Sequence, residues 1–534
     1  MTPVLERPRR GPAIRVFLLA FVVYAYFLPR WADWNIDSRF DLTRAIVDLH
    51  SLQIDRFHFN TWDKAVFKGH YYSDKAPGTA VLGALVYAGY AAAKQFPMLG
   101  AGIADAQTNS LWRVAIRLGT TSTQKAPAPK GTNLGGCQRT GGGGNVQYIP
   151  WGNRLYPPFR DWALSKYVTT VGVVALSSAA FLAFFFWFLG FFTRRSWIKW
   201  AVIVAYGFAT AALPYSTVFY SHQISAACLF TAFALLYLYS RRYVGTAGIA
   251  GAGFLLGFAF FTEYTVALVI VAVGLYGLWA ARARISAAAS FVAAGCVPVL
   301  GLFAYNQATF GSPFDTGYSH DFCWSAAQGA GYAGFTHPQG GPLFDLTIGP
   351  YRGLFYTSPY LLLALVGGMI MFRRGLKLES LVCIGTSVVF ILTISAYWGW
   401  NGGQVDGPRY LVPVIPFLAF PVAIYLDAFA RRLAAIAIFL VLLAWSLFAT
   451  WAAFLGGELF PHSWMRYPLE NYSLPALGRN EIAPNFGMFF GLTAWHSLVP
   501  LAVGIIAISF IGIPLRPRKA HGREPIGWAE RVHS

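Results

Sequence analysis

The chain has 534 residues, of which 56% are hydrophobic, 17% aromatic and only 12% charged, and its mean hydropathy is +0.48. A water-soluble fold of this length needs far more polar surface, so composition specifies an integral membrane protein. The formal charge of +19 comes from 41 Lys and Arg against 22 Asp and Glu. The basic residues stand in short clusters between apolar runs, the pattern of cytoplasmic loops and anionic headgroups, and no nucleic-acid motif accompanies them.

A spanning helix needs roughly 20 mostly apolar residues. In chain order such runs lie near 14–29, 78–95, 167–192, 197–214, 223–240, 245–262, 264–281, 285–305, 354–372, 379–397, 409–428, 433–453 and 494–513, thirteen in all. The basic stretch MTPVLERPRRGPAIR precedes the first, and FLPRWADW follows it instead of a small-residue cleavage site. It therefore reads as an uncleaved first span and not as a signal peptide.

The positive-inside rule orients the runs. Arg7, Arg9, Arg10 and Arg15 hold the N-terminus in the cytoplasm, and Arg516, Arg518 and Lys519 do the same for the C-terminus. Inside loops are marked by Arg194/Arg195/Lys199, Arg241/Arg242, Arg282/Arg284, Arg373/Arg374/Lys377 and Arg431/Arg432. These alternate only if the run at 167–192 enters from outside, so the segment 30–166 begins and ends outside. The run at 78–95 then does not cross. It is short, rich in Ala and Gly and ended by Lys94, and it is expected as an interfacial or re-entrant helix on the outer face.

The expectation is an all-α polytopic membrane protein of about twelve spanning helices, with outer segments at 30–166, 306–353 and 454–493. Near 38–50, Phe40, Leu42, Ala45, Ile46 and Leu49 recur at helical spacing. That predicts an amphipathic helix on the membrane surface, with Asp37-Ser38 at its N-cap. A second surface helix is expected near 77–95. The Gly/Pro-rich segment 120–147 reads as a mobile loop. None of the five cysteines (137, 228, 296, 323 and 383) forms a CxxC pair, which argues against a zinc or haem site. Cys137 and Cys323, the two in outer segments, are either a disulfide of an oxidising compartment or two free thiols.

The inner loops are short and basic. The outer segments hold polar clusters where they meet helix ends: NIDSRFD (35–41), TWDK (61–64), YYSDK (71–75), YSHQ (220–223), TEY (262–264), YNQATFGSPFDTGYSHD (305–321), GPYRGLFYTSP (349–359) and WGWNGGQVDGPRY (398–410). Polar groups on many helices at one face point to a shared site there; taken singly, each also fits an aromatic interface belt. Asp37 either caps the surface helix or serves as a general base at the membrane boundary. Asp41, one turn on, is placed to pair with Arg44.

The order of elements is more specific: first helix, acid at the loop start, surface helix, then YYSDKAPG at 71–78 opening a second helix. In this the chain resembles the GT-C glycosyltransferases. More narrowly it looks like the branch of glycosyltransferase family 39 that contains protein mannosyltransferases and lipid A aminoarabinose transferases. Those proteins carry Asp-Glu shortly after the first helix, then a Y-F-x-K-P-P or F-D-V-H-P-P stretch. Asp37-Ser38 and Tyr72-Ser73-Asp74-Lys75-Ala76-Pro77 fall at those places, with Ser38 replacing the Glu and Ala76 the first Pro.

The resemblance implies a GT-C-like bundle that transfers a sugar from a polyprenyl-phosphate donor to an acceptor hydroxyl arriving from outside. It further implies inversion at the sugar, an Asp base, and no metal or other cofactor. Asp37 is the base by position; the Ser38 departure leaves Asp41, Asp63 and Asp74 open as alternatives. A departing phosphate calls for fixed positive charge, for which Lys75, Arg409 and Arg352 stand at helix mouths, and arginine's fork suits phosphate. Tyr71, Tyr72, His222, Glu263, Trp400, Asn401 and Asp406, with Trp398 and Gln404, offer sugar hydroxyls partners and stacking faces. The implied setting is a bacterial inner membrane with an extracytoplasmic active site; the acceptor is a glycan, lipid or protein. The rival readings are a polytopic transporter or flippase for a lipid-linked or small polar substrate, and a non-catalytic GT-C-like subunit. Transporters commonly show related halves and ionisable residues at the midplane; here the two halves show no similarity and most spans are clean at their centres.

Overall fold

The computed structural model describes residues 11–29, 34–108, 157–457 and 460–510. The chain is a mostly helical, polytopic membrane protein with one short β-hairpin among the described residues. Among the described residues seven helices are long and apolar enough to cross a bilayer, and six shorter apolar helices accompany them. Together they match the thirteen apolar runs one for one. They are α1 (Gly11–Tyr26), α3 (Gly78–Ala93), α5 (Asp161–Leu189), α6 (Ser196–Phe208), α7 (His222–Ser240), α8 (Thr246–Thr262), α9 (Tyr264–Ala281), α10 (Ile285–Phe310), α11 (Pro359–Arg373), α12 (Lys377–Ser395), α13 (Arg409–Ala428), α14 (Leu433–Leu455) and α15 (Ala494–Phe510). Two polar or mixed helices, α2 (Trp34–Asp48) and α4 (Pro97–Thr108), stand beside them, with several shorter helical segments in the loops.

Without a hydrophobic drive between helices in lipid, close packing decides how they associate. One close approach is α8 on α10. A Cβ at Gly253 would lie 2.0 Å from the Phe291 carbonyl oxygen, and one at Gly257 2.1 Å from that of Gly295. The four-residue spacing puts both glycines on one face, so the two backbones touch directly.

Asp427, at the end of α13, accepts from Thr193 at 2.8 Å and pairs with Arg195 at 3.4 Å and Arg374 at 3.7 Å. Two of the basic loops expected inside therefore meet on one carboxylate. At the other end of the helices the polar loops knit together. Tyr215 donates to the Asp406 carbonyl at 3.0 Å, Ser358 to that of Ala209 at 2.8 Å, and Gln404 to that of Phe460 at 2.8 Å. The end of α1 joins them through Leu28, whose N–H donates to the Pro484 carbonyl at 2.9 Å.

The segment after α1 departs from expectation. The predicted surface helix begins earlier, at Trp34, so Asp37 lies within its first turn and is not the N-cap. Nor does α2 lie on a surface: every residue from Asn35 to Thr43 is buried. The apolar spacing is real, but the opposite face is covered by other polar groups and not by water. The stretch TWDK-to-YYSDK is a hairpin, β1 (Lys64–Phe67) against β2 (His70–Ser73), in antiparallel register with Ala65 opposite Tyr72. Lys68 and Gly69 close it with φ of 50° and 83°, the paired positive angles of a two-residue hairpin turn. The hairpin delivers Asp74 and Lys75 to the mouth of α3, whose opposite face exposes Val81 and Leu85. Cys323 is disulfide-bonded, whereas Cys228, Cys296 and Cys383 are free. Cys137, the segment 120–147 and the basic residues Arg7, Arg9, Arg10, Arg516, Arg518 and Lys519 lie outside the described residues.

Candidate functional site

Consecutive residues on a helix point about 100° apart, and α2 uses this to send three successive side chains to three elements. Asp37 pairs with Lys166 of α5 at 2.5 Å, both side chains fully buried. Ser38 Oγ lies 2.8 Å from Ser73 Oγ and donates to Asp74 at 3.1 Å. Arg39 donates to Ser221 Oγ at 3.0 Å and stands 3.7 Å from Glu263. Asp41 does not pair with Arg44. It accepts from Asn60 at 3.0 Å, while Arg44 pairs with Asp48 at 3.6 Å. Burial and the nearby Asp37 charge hold the Asp41 carboxyl well above its ordinary range.

Lys75 is the centre of the first cluster. Its ammonium donates to Asp74 at 2.6 Å and pairs with Asp63 at 2.9 Å, beneath the Tyr318 ring at 5.4 Å. Burial opposes its charge, but Asp63 and Asp74, with Tyr318 and Asp321, hold the amine well above its usual range. Burial raises Asp74, against the pull of Lys75. Asp321 rises to about 8, through burial and the charge of Asp74, although the Cys323 and Trp324 N–H groups both donate to it. Asp63 keeps more contact with solvent than Asp37 or Asp74, with 15% of its side chain exposed against 0% for each of those.

The second cluster gathers at the start of α7. Glu263 accepts from Ser221 at 2.6 Å and Thr265 at 3.0 Å, and lies 3.4 Å from His222 Nδ1. Arg409 donates to the phenols of Tyr220 at 3.2 Å and Tyr410 at 2.9 Å. It makes no ion pair with a carboxylate among the described residues. The two clusters adjoin: the charges of Arg409, Arg39 and Lys75 all bear on the His222 ring.

The remaining predicted residues shape the surroundings. Arg352 is buried and donates to the carbonyls of Val405 and, at 2.8 Å, Gly403, so its guanidinium braces the 398–410 loop. Asn401 accepts from the Gly403 N–H at 2.9 Å and turns the same loop. Trp400 meets Tyr351 edge-on at 5.9 Å, and Trp398 packs on Trp324 at 5.3 Å. Asp406 is buried beside them, where its carbonyl holds Tyr215. Tyr72 packs on Phe310 within the hairpin's own core. Tyr71 stacks on His58 at 3.7 Å and faces Lys64 at 5.0 Å; burial lowers the Lys64 amine to about 8.

Lys75, Asp63 and Asp74 thus come together with Ser38, and His222 and Glu263 come together with Arg409. Asp37 is turned away from Lys75, onto Lys166. Sequence reasoning missed Arg39, Lys166, Ser221, Tyr318 and Asp321. One signal was present: Arg39, Ser221, Tyr318 and Asp321 all lie inside the polar stretches at helix ends, NIDSRFD, YSHQ and YNQATFGSPFDTGYSHD. No group of His, Cys, Asp and Glu suited to a metal ion occurs among the described residues. No family model matches the chain, and neither a curated protein nor a solved structure matches it.

Proposed function

We propose that this protein is a membrane glycosyltransferase with a GT-C-like arrangement, transferring a sugar from a polyprenyl-phosphate donor to an acceptor hydroxyl on the extracytoplasmic side of a bacterial inner membrane. Twelve of the apolar helices cross, α3 lies along the outer face, and both termini are cytoplasmic. The meeting of Arg195 and Arg374 on Asp427 supports that orientation, since it collects inside-marked loops at one end and leaves the polar clusters at the other.

The observation that carries the reading is the junction of Asp63, Asp74 and Lys75 beside Arg409 and His222. Glycosyl transfer from a lipid phosphate needs a base for the acceptor proton and positive charge for the departing phosphate. Asp63 is the carboxylate with solvent contact, and so the one an acceptor hydroxyl can reach. It takes the hydroxyl proton as the acceptor oxygen bonds to the anomeric carbon. The carbon–oxygen bond to phosphate breaks on the opposite face, its electron pair leaving with polyprenyl phosphate, and the sugar inverts. Asp74, held by Ser38, positions Lys75. Asp37, which the resemblance favours as base, serves here to anchor α2 through Lys166.

Purified protein in lipid nanodiscs, offered a panel of polyprenyl-phosphate sugars with membrane-extract acceptors, tests this by release of polyprenyl phosphate. Wild type turns over at least one donor, Asp63→Asn abolishes turnover while the protein remains folded, and Asp37→Asn retains part of it. A folded wild type inert toward every donor refutes the transferase reading. Loss confined to Asp37→Asn refutes the assignment of the base.

A further inference from the structure

The cations near the reacting phosphate are not equivalent, and their partners tell them apart. Lys75 is one amine among three carboxyl groups: Asp63 and Asp74 take its donors directly, and Asp321 stands close by. An incoming anion there meets an excess of negative charge. At the start of α7 the balance reverses, with two guanidinium groups set against the single carboxylate of Glu263.

Unused donors lie at the same place. Arg39 is 2% exposed, and its Nε and Nη1 have no hydrogen-bond partner. His222 is 1% exposed, and neither of its ring nitrogens, one of which donates in either tautomer, has one. Arg409 Nε has none either, its two terminal nitrogens being turned to phenols. Buried donors left unmade are expensive, so a cluster of them calls for an acceptor. The helix end agrees. Ser221 stands at the N-cap, but its hydroxyl donates to Glu263 instead of accepting from the first turn. The first intrahelical bond is Ser225 N–H to the Ser221 carbonyl, so the N–H groups before it point outward with the positive end of the helix dipole.

We propose that the N-terminus of α7 seats a phosphate group, gripped by Arg39, Arg409 and His222, with Lys75 acting as the clasp of Asp63 and Asp74. The assignment rests on the lipid-phosphate reading above and decides between its cations. It makes Arg39 and His222 phosphate ligands. The same chemistry fits a lipid headgroup or free phosphate.

Binding without sugar transfer tests it. Nanodisc-embedded full-length protein is titrated with farnesyl phosphate, farnesol and inorganic phosphate, following the thermal midpoint. Losing one charge-assisted bond corresponds to about tenfold in affinity or more. Arg39→Gln and Arg409→Gln therefore each weaken farnesyl phosphate at least tenfold, Lys75→Met shifts it less than about threefold, and farnesol is indifferent to all three. Binding of inorganic phosphate with the same arginine dependence identifies free phosphate as an occupant; binding of farnesyl phosphate alone identifies the lipid headgroup.

If Arg39→Gln does not fold, the wild type still answers. In protein with isotope-labelled histidine, the ring resonance absent from His222→Gln moves on adding farnesyl phosphate. A still resonance overturns the proposal, as does a Lys75→Met variant that loses binding while Arg409→Gln keeps it. Phosphate binding without turnover of any donor leaves this seat standing and removes the transferase reading. Turnover undiminished in Arg409→Gln does the reverse.

Discussion

Removing the ammonium of Lys166 isolates a charge. The pair it makes with Asp37 is fully buried on both sides at 2.5 Å. At an effective dielectric of about 20 the attraction is of order 7 kcal/mol, most of it offset by stripping water from both ions. Lys166→Met keeps the stem and removes the charge, leaving the Asp37 carboxylate without it in the interior. Breaking one side of a buried pair costs about 3–5 kcal/mol, whereas replacing both sides by apolar groups of similar volume is close to neutral. Lys166→Met and Asp37→Leu should therefore each destabilise by about 3–5 kcal/mol, and the double variant by about 1 kcal/mol. Unfolding in mixed micelles by titrated dodecyl sulfate, followed by tryptophan fluorescence, measures all four corners of the cycle. A single variant costing less than about 1 kcal/mol, or a double variant costing the sum of the singles, refutes the argument that α2 is held by this pair.

The other expectations concern the Lys75 cluster. Ser38→Ala removes the hydroxyl that bridges Ser73 and Asp74 and should cost about 1 kcal/mol. Ser38→Glu sets a second carboxylate against buried Asp74 and should cost roughly 3 kcal/mol or more, so the residue usual in the resembling family is not tolerated; thermal unfolding that ranks Glu above Ala contradicts this. Gly317→Ala puts a Cβ 2.5 Å from the Asp74 Cα, and backbone cannot yield as a side chain can. A loss of about 1–3 kcal/mol is expected, with donor turnover falling as Lys75 is displaced. Asp321, raised to about 8 by burial and the Asp74 charge, binds a proton in the folded state that the unfolded chain releases near pH 4. Stability should therefore decline as pH rises from about 4 to 8, and Asp321→Asn should flatten that decline in pH-resolved thermal melts.

The thirteen apolar runs were legible because a bilayer imposes length and composition on each span independently of its neighbours. The site was legible only in part, because its decisive contacts join residues far apart in the chain. Asp37 shows its acid but not Lys166, 129 positions later. Arg39 reaches Ser221 across 182 positions. Helical periodicity located α2, yet it cannot distinguish a polar face bathed in water from one matched by buried polar partners. Lys68-Gly69 holds a hairpin turn, but without Asn-Gly or Asp-Gly the turn signal is weak. Lys75 stood out because YYSDK places it at the mouth of the apolar run that follows; its two acid partners could be named from TWDK and YYSDK without showing that they share one amine.

The three-way anchoring of α2 also orders events during synthesis. At roughly 5–20 residues per second, Lys166 emerges about 6–26 s after Asp37, and Ser221 about 9–36 s after Arg39, for separations of 129 and 182 residues. Throughout that interval α2 carries Asp37, Arg39 and Asp41 with two of their partners not yet made. Such a segment is retained in water or at the headgroups, since charge without its match does not enter the apolar phase. It docks after α5 and the start of α7 have been threaded into place. A helix translated near the start of the chain is thus held only after α5 and the start of α7 have followed it.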